Sequence, residues 1–396
     1  MADQEKAASV FEAVRKDDPL YGTKAFTPWS RYLHSRMPLP AEARILFDST
    51  VEEPLELLAE VVGQAFHNEV SSRYQSVFAR GNVFLIAALA QRYGVGEDEV
   101  LPTTGVVSGL RQVLSCLIRP GDKVAVETPC FDVLPNMVEY VQGRVVPLVR
   151  QWPGFDITPE AVEALMADGC RMVVVSHLHN PSGMPLSEAR LAELEAVVRA
   201  HDGWLVVDEV YADMARVVSG PLHILPRLIR LNSLSKVFGL HGLRCGWIMA
   251  ERPVLNRIAE INSQYEFGTS KLSHSVAALV LEQPEPFEIH SQRVISRSRA
   301  VMEYHLAAMA ADGLIEGSLP AYGCMAFPRI VGHADTLALA EVLWRDHGLV
   351  SAPGEMFGLA GHMRLGLGAT VESMDDGLAR LHRALKAVRA RMGRGE

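Results

Sequence analysis

Residues 171–209 read "RMVVVSHLHNPSGMPLSEARLAELEAVVRAHDGWLVVDE", and this stretch decides the fold. Two short β-branched runs, 171–176 and 203–209, flank a segment in which Leu191, Leu194 and Val198 recur at helical spacing behind Ser187, whose hydroxyl suits an N-cap. Strands that are apolar throughout and joined by a helix belong to a parallel pair buried on both faces. Working outward, "KVAVE" (123–127), "GRVVPLV" (143–149) and "LIRLNS" (228–233) repeat the pattern with helix-like segments between them. The chain therefore predicts an α/β fold, a parallel sheet with helices on both sides. After about Gln283 the pattern changes to long amphipathic helices, followed by two short strand candidates, "GCMAFPRI" (323–330) and "HMRLGLG" (362–368). A second, smaller α+β unit is expected there. Pro28, Pro38 and Pro40 break any long helix in the first 45 residues, which are expected to form an arm packing on a neighbour or on the small unit. The expected divisions are an arm over 1–45, a large domain over 46–285 and a small domain over 286–396.

Composition narrows the function classes. The 396 residues carry a formal charge of -9 and no dense run of Lys or Arg, which argues against a nucleic-acid surface. The five cysteines, Cys116, Cys130, Cys170, Cys245 and Cys324, are scattered and never form a CxxC pair, so neither a disulfide framework nor a metal site is expected. The longest apolar run, "VFLIAALA" (83–90), is too short to span a bilayer, and the first residues lack a signal-peptide core. A cytoplasmic location without membrane contact is the expectation.

A lysine carries the chemistry. In "NSLSKVFGLHGLRCGW" (232–247), Lys236 sits between Ser233, Ser235 and a glycine run, and Arg244 follows eight residues later. Two hydroxyls and a guanidinium suit a phosphate group, and a neighbouring cation favours the neutral, nucleophilic form of an amine. An amine beside a phosphate cradle fits a Schiff base to pyridoxal phosphate; taken alone, the same lysine reads first as an exposed side chain on a glycine loop, and the rest of the constellation overturns that reading. In "TTGVVSGLRQVLSCL" (103–117), Gly105 stands where a helix begins, either as a simple turn or as an anion site using the N–H groups of Val106 and Val107. No GxxxxGK(S/T) and no GxGxxG after a strand occurs, which removes support for nucleotide readings.

With these motifs the chain resembles the class I/II aminotransferase family, fold-type I pyridoxal-phosphate enzymes similar to aspartate aminotransferase. The resemblance runs from roughly Leu46 to Gly368. "SLSKVFGLHGLRCG" is similar to the family's S-x-S-K-x-x-G-x-x-G-x-R-x-G signature and makes Lys236 the aldimine lysine. "VVDEVY" implicates Asp208 as partner of the pyridine nitrogen and Tyr211 as partner of the phenolic oxygen, and "SHLHNPSG" places Asn180 on the same oxygen. "TTGVVSGL" falls at the family's phosphate turn, "ETPCFDV" puts Phe131 over the cofactor face, and "SSRYQSVFARG" resembles the segment that lends a tyrosine, here Tyr74, to the phosphate of the partner subunit. "HMRLGLG" resembles the strand with the substrate-carboxylate arginine, Arg364. The resemblance implies a large domain with a mixed, mostly parallel seven-stranded sheet, a small α+β domain and a homodimer with shared sites. It implies transfer of an amino group between an L-amino acid and a 2-oxo acid through Lys236.

Three positions depart from the pattern. Val107 replaces a common hydroxyl residue, Leu178 a common proline, and "LFDSTVEEP" (46–54) the usual glycine-proline segment. Glu52 and Glu53 there read either as partners for a cationic substrate end or as solvated charges. The altered segment keeps open decarboxylation, elimination or cyclisation of an amino acid on the same cofactor. A non-catalytic ligand-sensing module, similar to the aminotransferase-like domains of some bacterial transcription regulators, is not expected, since those carry an upstream DNA-binding domain where this sequence has a short, non-basic arm. The pocket is expected to draw on the arm, on "NSQYEFGTSK" (262–271) of a neighbouring subunit and on Tyr322, leaning towards a hydrophobic or neutral amino acid.

Overall fold

The computed structural model describes residues 25–36, 39–66, 73–74, 80–215, 222–266 and 268–392. In chain order the strands are β1 (Arg44–Ile45), β2 (Val100–Thr103), β3 (Lys123–Thr128), β4 (Arg144–Val149), β5 (Cys170–Ser176), β6 (Trp204–Asp208), β7 (Leu228–Ser233) and β8 (Gly246–Met249). The C-terminal third adds β9 (Ile315–Glu316), β10 (Met325–Ala326), β11 (Arg329–Ile330), β12 (Leu349–Val350), β13 (Ala352–Pro353) and β14 (Met363–Gly366).

Seven strands form one sheet in the order β2-β8-β7-β6-β5-β3-β4. All neighbours are parallel except those of β8, which runs antiparallel to both β7 and β2. The sheet is thus mixed and mostly parallel. Alternate residues supply its two cores. Val124, Val126, Met172, Val174, Ile229 and Leu231 pack with Leu110, Val113 and Leu114 of the helix Val106–Leu117 and with Leu255 of the helix Arg252–Asn262. Ala125, Val173, Val175, Leu205 and Val207 pack on the other side with Val162 and with Leu191, Leu194 and Val198 of the helix Glu188–Ala200. The period of two along each strand explains why these strands read as continuous apolar runs. Ser187 caps its helix as its position suggests, accepting from the Arg190 N–H at 3.0 Å.

The C-terminal third consists of the 27-residue helix Glu285–Ala311, the helices Thr336–His347 and Val371–Met392, and short strand pairs. The "GCMAFPRI" stretch forms two strands instead of one, because Phe327-Pro328 separates β10 from β11. β14 lies between β10 and β13, and β1 pairs with β12, so residues 44–45 join this region rather than the large sheet. The arm contains the helix Phe26–Arg36, with Pro28 in its first turn, where no backbone N–H is required. Phe26, Trp29 and Leu33 bury against Phe47, Phe327, Ala340, Val350 and Phe357. Residues 1–24 of the expected arm lie outside the described residues. No helix among those described is long and apolar enough to cross a membrane, and all five cysteines are buried and free.

Candidate active site

A cavity of about 590 Å³ opens at the carboxyl ends of the parallel strands, between the large sheet and β14. Ligand sites of such sheets lie at these ends, where loops leave successive strands in opposite directions. Val106, Val107, Phe131, Asn180, Asp208, Tyr211, Ser233, Ser235, Lys236, Arg244 and Arg364, each singled out from sequence, all line it.

Each side chain arrives by a specific local route. Asp208 ends β6 and Ser233 ends β7. Lys236 follows three residues after β7, and its Nζ donates to Thr50 Oγ1 at 2.9 Å and lies 5.8 Å from the centre of the Tyr211 ring. Gly105, at φ +81, stands at the N-cap of the helix Val106–Leu117 without any side-chain cap, so the first N–H groups of that helix have no side-chain partner there. Arg244 adopts a left-handed conformation at φ 48, and its Nη2 lies 2.7 Å from where a Cβ on Gly105 would stand. A side chain at Gly105 would crowd that guanidinium, and the positive φ there favours glycine. Helix dipole, open N–H groups and arginine converge there, a fit for a phosphate. Val107 lines the same end, so this position offers its backbone and no hydroxyl.

Asp208 lies on the cavity floor. Burial pushes its carboxyl up to about 7, against the pull of the Val210 N–H donating to Oδ1 at 3.1 Å. A half-satisfied buried carboxylate at a cavity wall is suited to a cationic ring nitrogen. Beneath it, the fully buried Glu127 and Arg150 pair at 2.8 Å, and Ser176 donates to the Glu127 carboxylate. Burial raises the pKa of Glu127 and lowers that of Arg150, while their mutual attraction opposes both shifts.

Arg364 of β14 is 3 % exposed. Its Nη1 donates to Asn180 Oδ1 at 2.9 Å and its Nη2 to the Phe47 carbonyl at 3.1 Å, and the guanidinium carbon lies 4.2 Å from the centre of the Phe26 ring. Its Nε has no hydrogen-bond partner among the described residues. A buried, incompletely paired guanidinium facing a cavity is suited to a carboxylate.

Sequence reasoning missed several lining residues. Ser49 and Thr50 turn inward, Ser49 Oγ lying 2.8 Å from Tyr211 Oη. Phe47, Ser176 and His241 also line the cavity, and Phe26 and Ser30 come from the arm helix. The only signal for Ser49 and Thr50 was the departure of their segment from the family pattern. Glu52 is exposed and neither it nor Glu53 lines the cavity, in keeping with solvated charges. Tyr322, expected at the pocket, is 41 % exposed and lies outside the lining. Tyr74 is likewise absent from the cavity of its own chain; its ring meets Phe66 at 6.1 Å and Lys271 Nζ at 4.4 Å. Residues 71–72 and 75–79 of its segment are outside the described residues.

The family model described as "Aminotransferase class I and II" matches residues 48–381. A capreomycidine synthase from Streptomyces vinaceus is 31% identical over 320 residues, 77% of this chain and 79% of the relative. An arginine–pyruvate transaminase from Pseudomonas aeruginosa is 28% identical over 355 residues, 85% and 89% of the two chains. Among solved structures, a pyridoxal-phosphate-dependent aminotransferase from Streptococcus suis superposes with a TM-score of 0.79 at 21% identity, covering 90% of this chain and 96% of that one. The aspartate aminotransferase of Thermus thermophilus with maleate gives 0.75 at 22% identity, covering 87% and 92%.

Proposed function

Because the chain belongs to the class I and II aminotransferase family, we propose that it moves an amino group between an L-amino acid and a 2-oxo acid with pyridoxal phosphate as cofactor. The observation that carries this reading is the meeting of Lys236, Asp208 and the incompletely paired Arg364 in one cavity. Arg244, Ser233, Ser235 and the open N–H groups of residues 106 and 107 would hold the phosphate, Asp208 the ring nitrogen, and Asn180 and Tyr211 the phenolic oxygen, with Phe131 against the ring. Bound there, the cofactor supplies an electron sink for negative charge at the amino acid's Cα.

The chain's own groups do the rest. Arg364 grips the substrate carboxylate and fixes which bond at Cα faces the reacting centre. The amine of Lys236 then acts as the base that takes the Cα proton. Phe26, Phe47 and Phe131 exclude water and favour an apolar substrate side chain, whereas the relative named for arginine and pyruvate supports a basic donor. The relative named as a synthase supports a second reading, in which the same residues serve another reaction of an amino acid. A homodimer is part of the proposal.

The deciding measurement is the visible spectrum of purified protein with pyridoxal phosphate, titrated with L-amino acids including arginine. Bleaching that reverses when a 2-oxo acid follows is the expected outcome, and Lys236→Ala should abolish it. A shift without reversible bleaching favours the second reading. Absence of any band with added pyridoxal phosphate overturns both.

A further inference from the structure

The segment that departs most from the family pattern touches the two most reactive side chains. Residues 48–50 run between the loop after Lys236 and the strand bearing Arg364. Backbone contacts fix them from several sides: Gly366 N donates to the Leu46 carbonyl at 2.8 Å and Gly368 N to the Asp48 carbonyl at 2.8 Å. Cys324 Sγ donates to the Ser49 carbonyl at 3.1 Å, and the Thr50 N–H donates to the segment's own Asp48 Oδ1 at 3.1 Å. A Cβ on Gly239, three residues after Lys236, would stand 2.7 Å from the Glu52 carbonyl oxygen, so the lysine loop and this segment are in direct contact. A proline at Ser49 or Thr50 would carry no hydroxyl, and a glycine would carry no side chain at all. Here both side chains point into the cavity and each meets a reactive group, Ser49 the Tyr211 phenol at 2.8 Å and Thr50 the Lys236 amine at 2.9 Å.

We propose that Thr50 is a positioning residue for Lys236, its hydroxyl oxygen holding the amine at the cavity whenever that amine is not covalently engaged. The inference rests on the cofactor reading only for its consequence in turnover; the contact itself belongs to the protein alone. A lysine amine ends a flexible four-carbon stem with three rotatable donors, and an acceptor on a fixed backbone selects one orientation. Threonine suits this task because its branched Cβ restricts χ1. The neighbouring Ser49–Tyr211 contact anchors the same three residues, and the Tyr211 ring centre lies 5.8 Å from the Lys236 amine.

Two variants separate position from fold. Thr50→Val keeps the shape and removes the acceptor, and Thr50→Ser keeps the acceptor. In cofactor-free protein, acylation of Lys236 by acetic anhydride is followed by peptide mass spectrometry across pH, against the other lysines of the same digest. An amine no longer tied to a fixed acceptor reaches the reagent more freely. Thr50→Val is therefore expected to acylate faster near neutral pH, by up to about tenfold, the equivalent of one net hydrogen bond. Thr50→Ser is expected to match the wild type. In a second arm, stopped-flow absorbance should show Thr50→Val capturing pyridoxal phosphate with a changed pH profile that Thr50→Ser restores. Identical Lys236 acylation profiles in all three proteins overturn the inference. A wild type that takes up no pyridoxal phosphate while the acylation arm still moves sinks the cofactor reading and sustains the contact.

Discussion

Asp208 couples the site to the stability of the fold. Burial lifts its carboxyl to about 7, whereas an aspartate in an unfolded chain titrates near ~3.9. Between those values the folded protein holds a proton that the unfolded chain has released, so stability falls as pH rises through this window and is fully present only below it. The shift corresponds to roughly 4 kcal/mol at most. Asp208→Asn removes the titration while keeping the shape. In urea unfolding of cofactor-free protein at pH 5 and pH 8, the wild type should lose more stability than the variant, and parallel losses would contradict the assignment. A cationic ring nitrogen beside Asp208 would relieve the same penalty, so added pyridoxal phosphate should stabilise the wild type more at pH 8 than at pH 5. The residue whose charge is costly in the fold is thus the one the proposed cofactor would reward.

At the scale of elements, the phosphate end of the cavity depends on how β8 passes the turn at Gly105. A Cβ on Gly246, the first residue of β8, would stand 2.7 Å from the Gly105 carbonyl carbon and 2.8 Å from its Cα. These are backbone atoms with nowhere to go. Gly246→Ala should therefore push the turn away from Arg244, costing about 1–3 kcal/mol of stability and weakening pyridoxal phosphate binding, read by thermal unfolding and by equilibrium titration. Normal binding in a destabilised variant would show that the turn tolerates the shift. The same strand marks how far the sequence could be read. β3, β5, β6 and β7 were legible because each is buried on both faces and rich in Val, Leu and Ile, and the largely exposed edge strand β4 was legible from its Val and Leu content alone. β2 and β8 have four residues each, one with Pro102 and the other opening on Gly246, and so lack that composition. The reversed direction of β8 leaves no local trace, since it depends on the path of the connection. The cavity was legible where the reactive residues sit in long motifs at strand ends. Thr50 was not, because its partner Lys236 is 186 residues away and the hydroxyl acquires meaning only when the two loops meet.

For the whole molecule, a face outside the cavity bears on assembly. The helix Lys271–Glu282 packs against both Leu55–Phe66 and Val83–Tyr93. Their outer surface leaves Leu55 64%, Val83 58% and Leu272 50% exposed, with Phe66 36% beside them. Isolated exposed apolar residues are ordinary, but several on adjoining helices point to a covering partner. Tyr74 belongs to this face, between Phe66 and Lys271, and it is a proposed cofactor contact whose side chain is missing from its own chain's cavity. A second copy as occupant accounts for both facts, because it would cover the apolar helices and bring a Tyr74 to each neighbouring cavity. Wild-type protein should then sediment at twice the 43.4 kDa chain mass. Leu55→Glu combined with Leu272→Glu alters two exposed side chains, and such substitutions barely change the stability of a solitary chain. The double variant should nevertheless sediment as a monomer, lose most of its turnover and bind pyridoxal phosphate more weakly, whereas Tyr74→Phe should weaken the cofactor and leave the dimer intact. A wild type that is monomeric and fully active on dilution would remove the partner from the site and require the phosphate to be held by one chain alone.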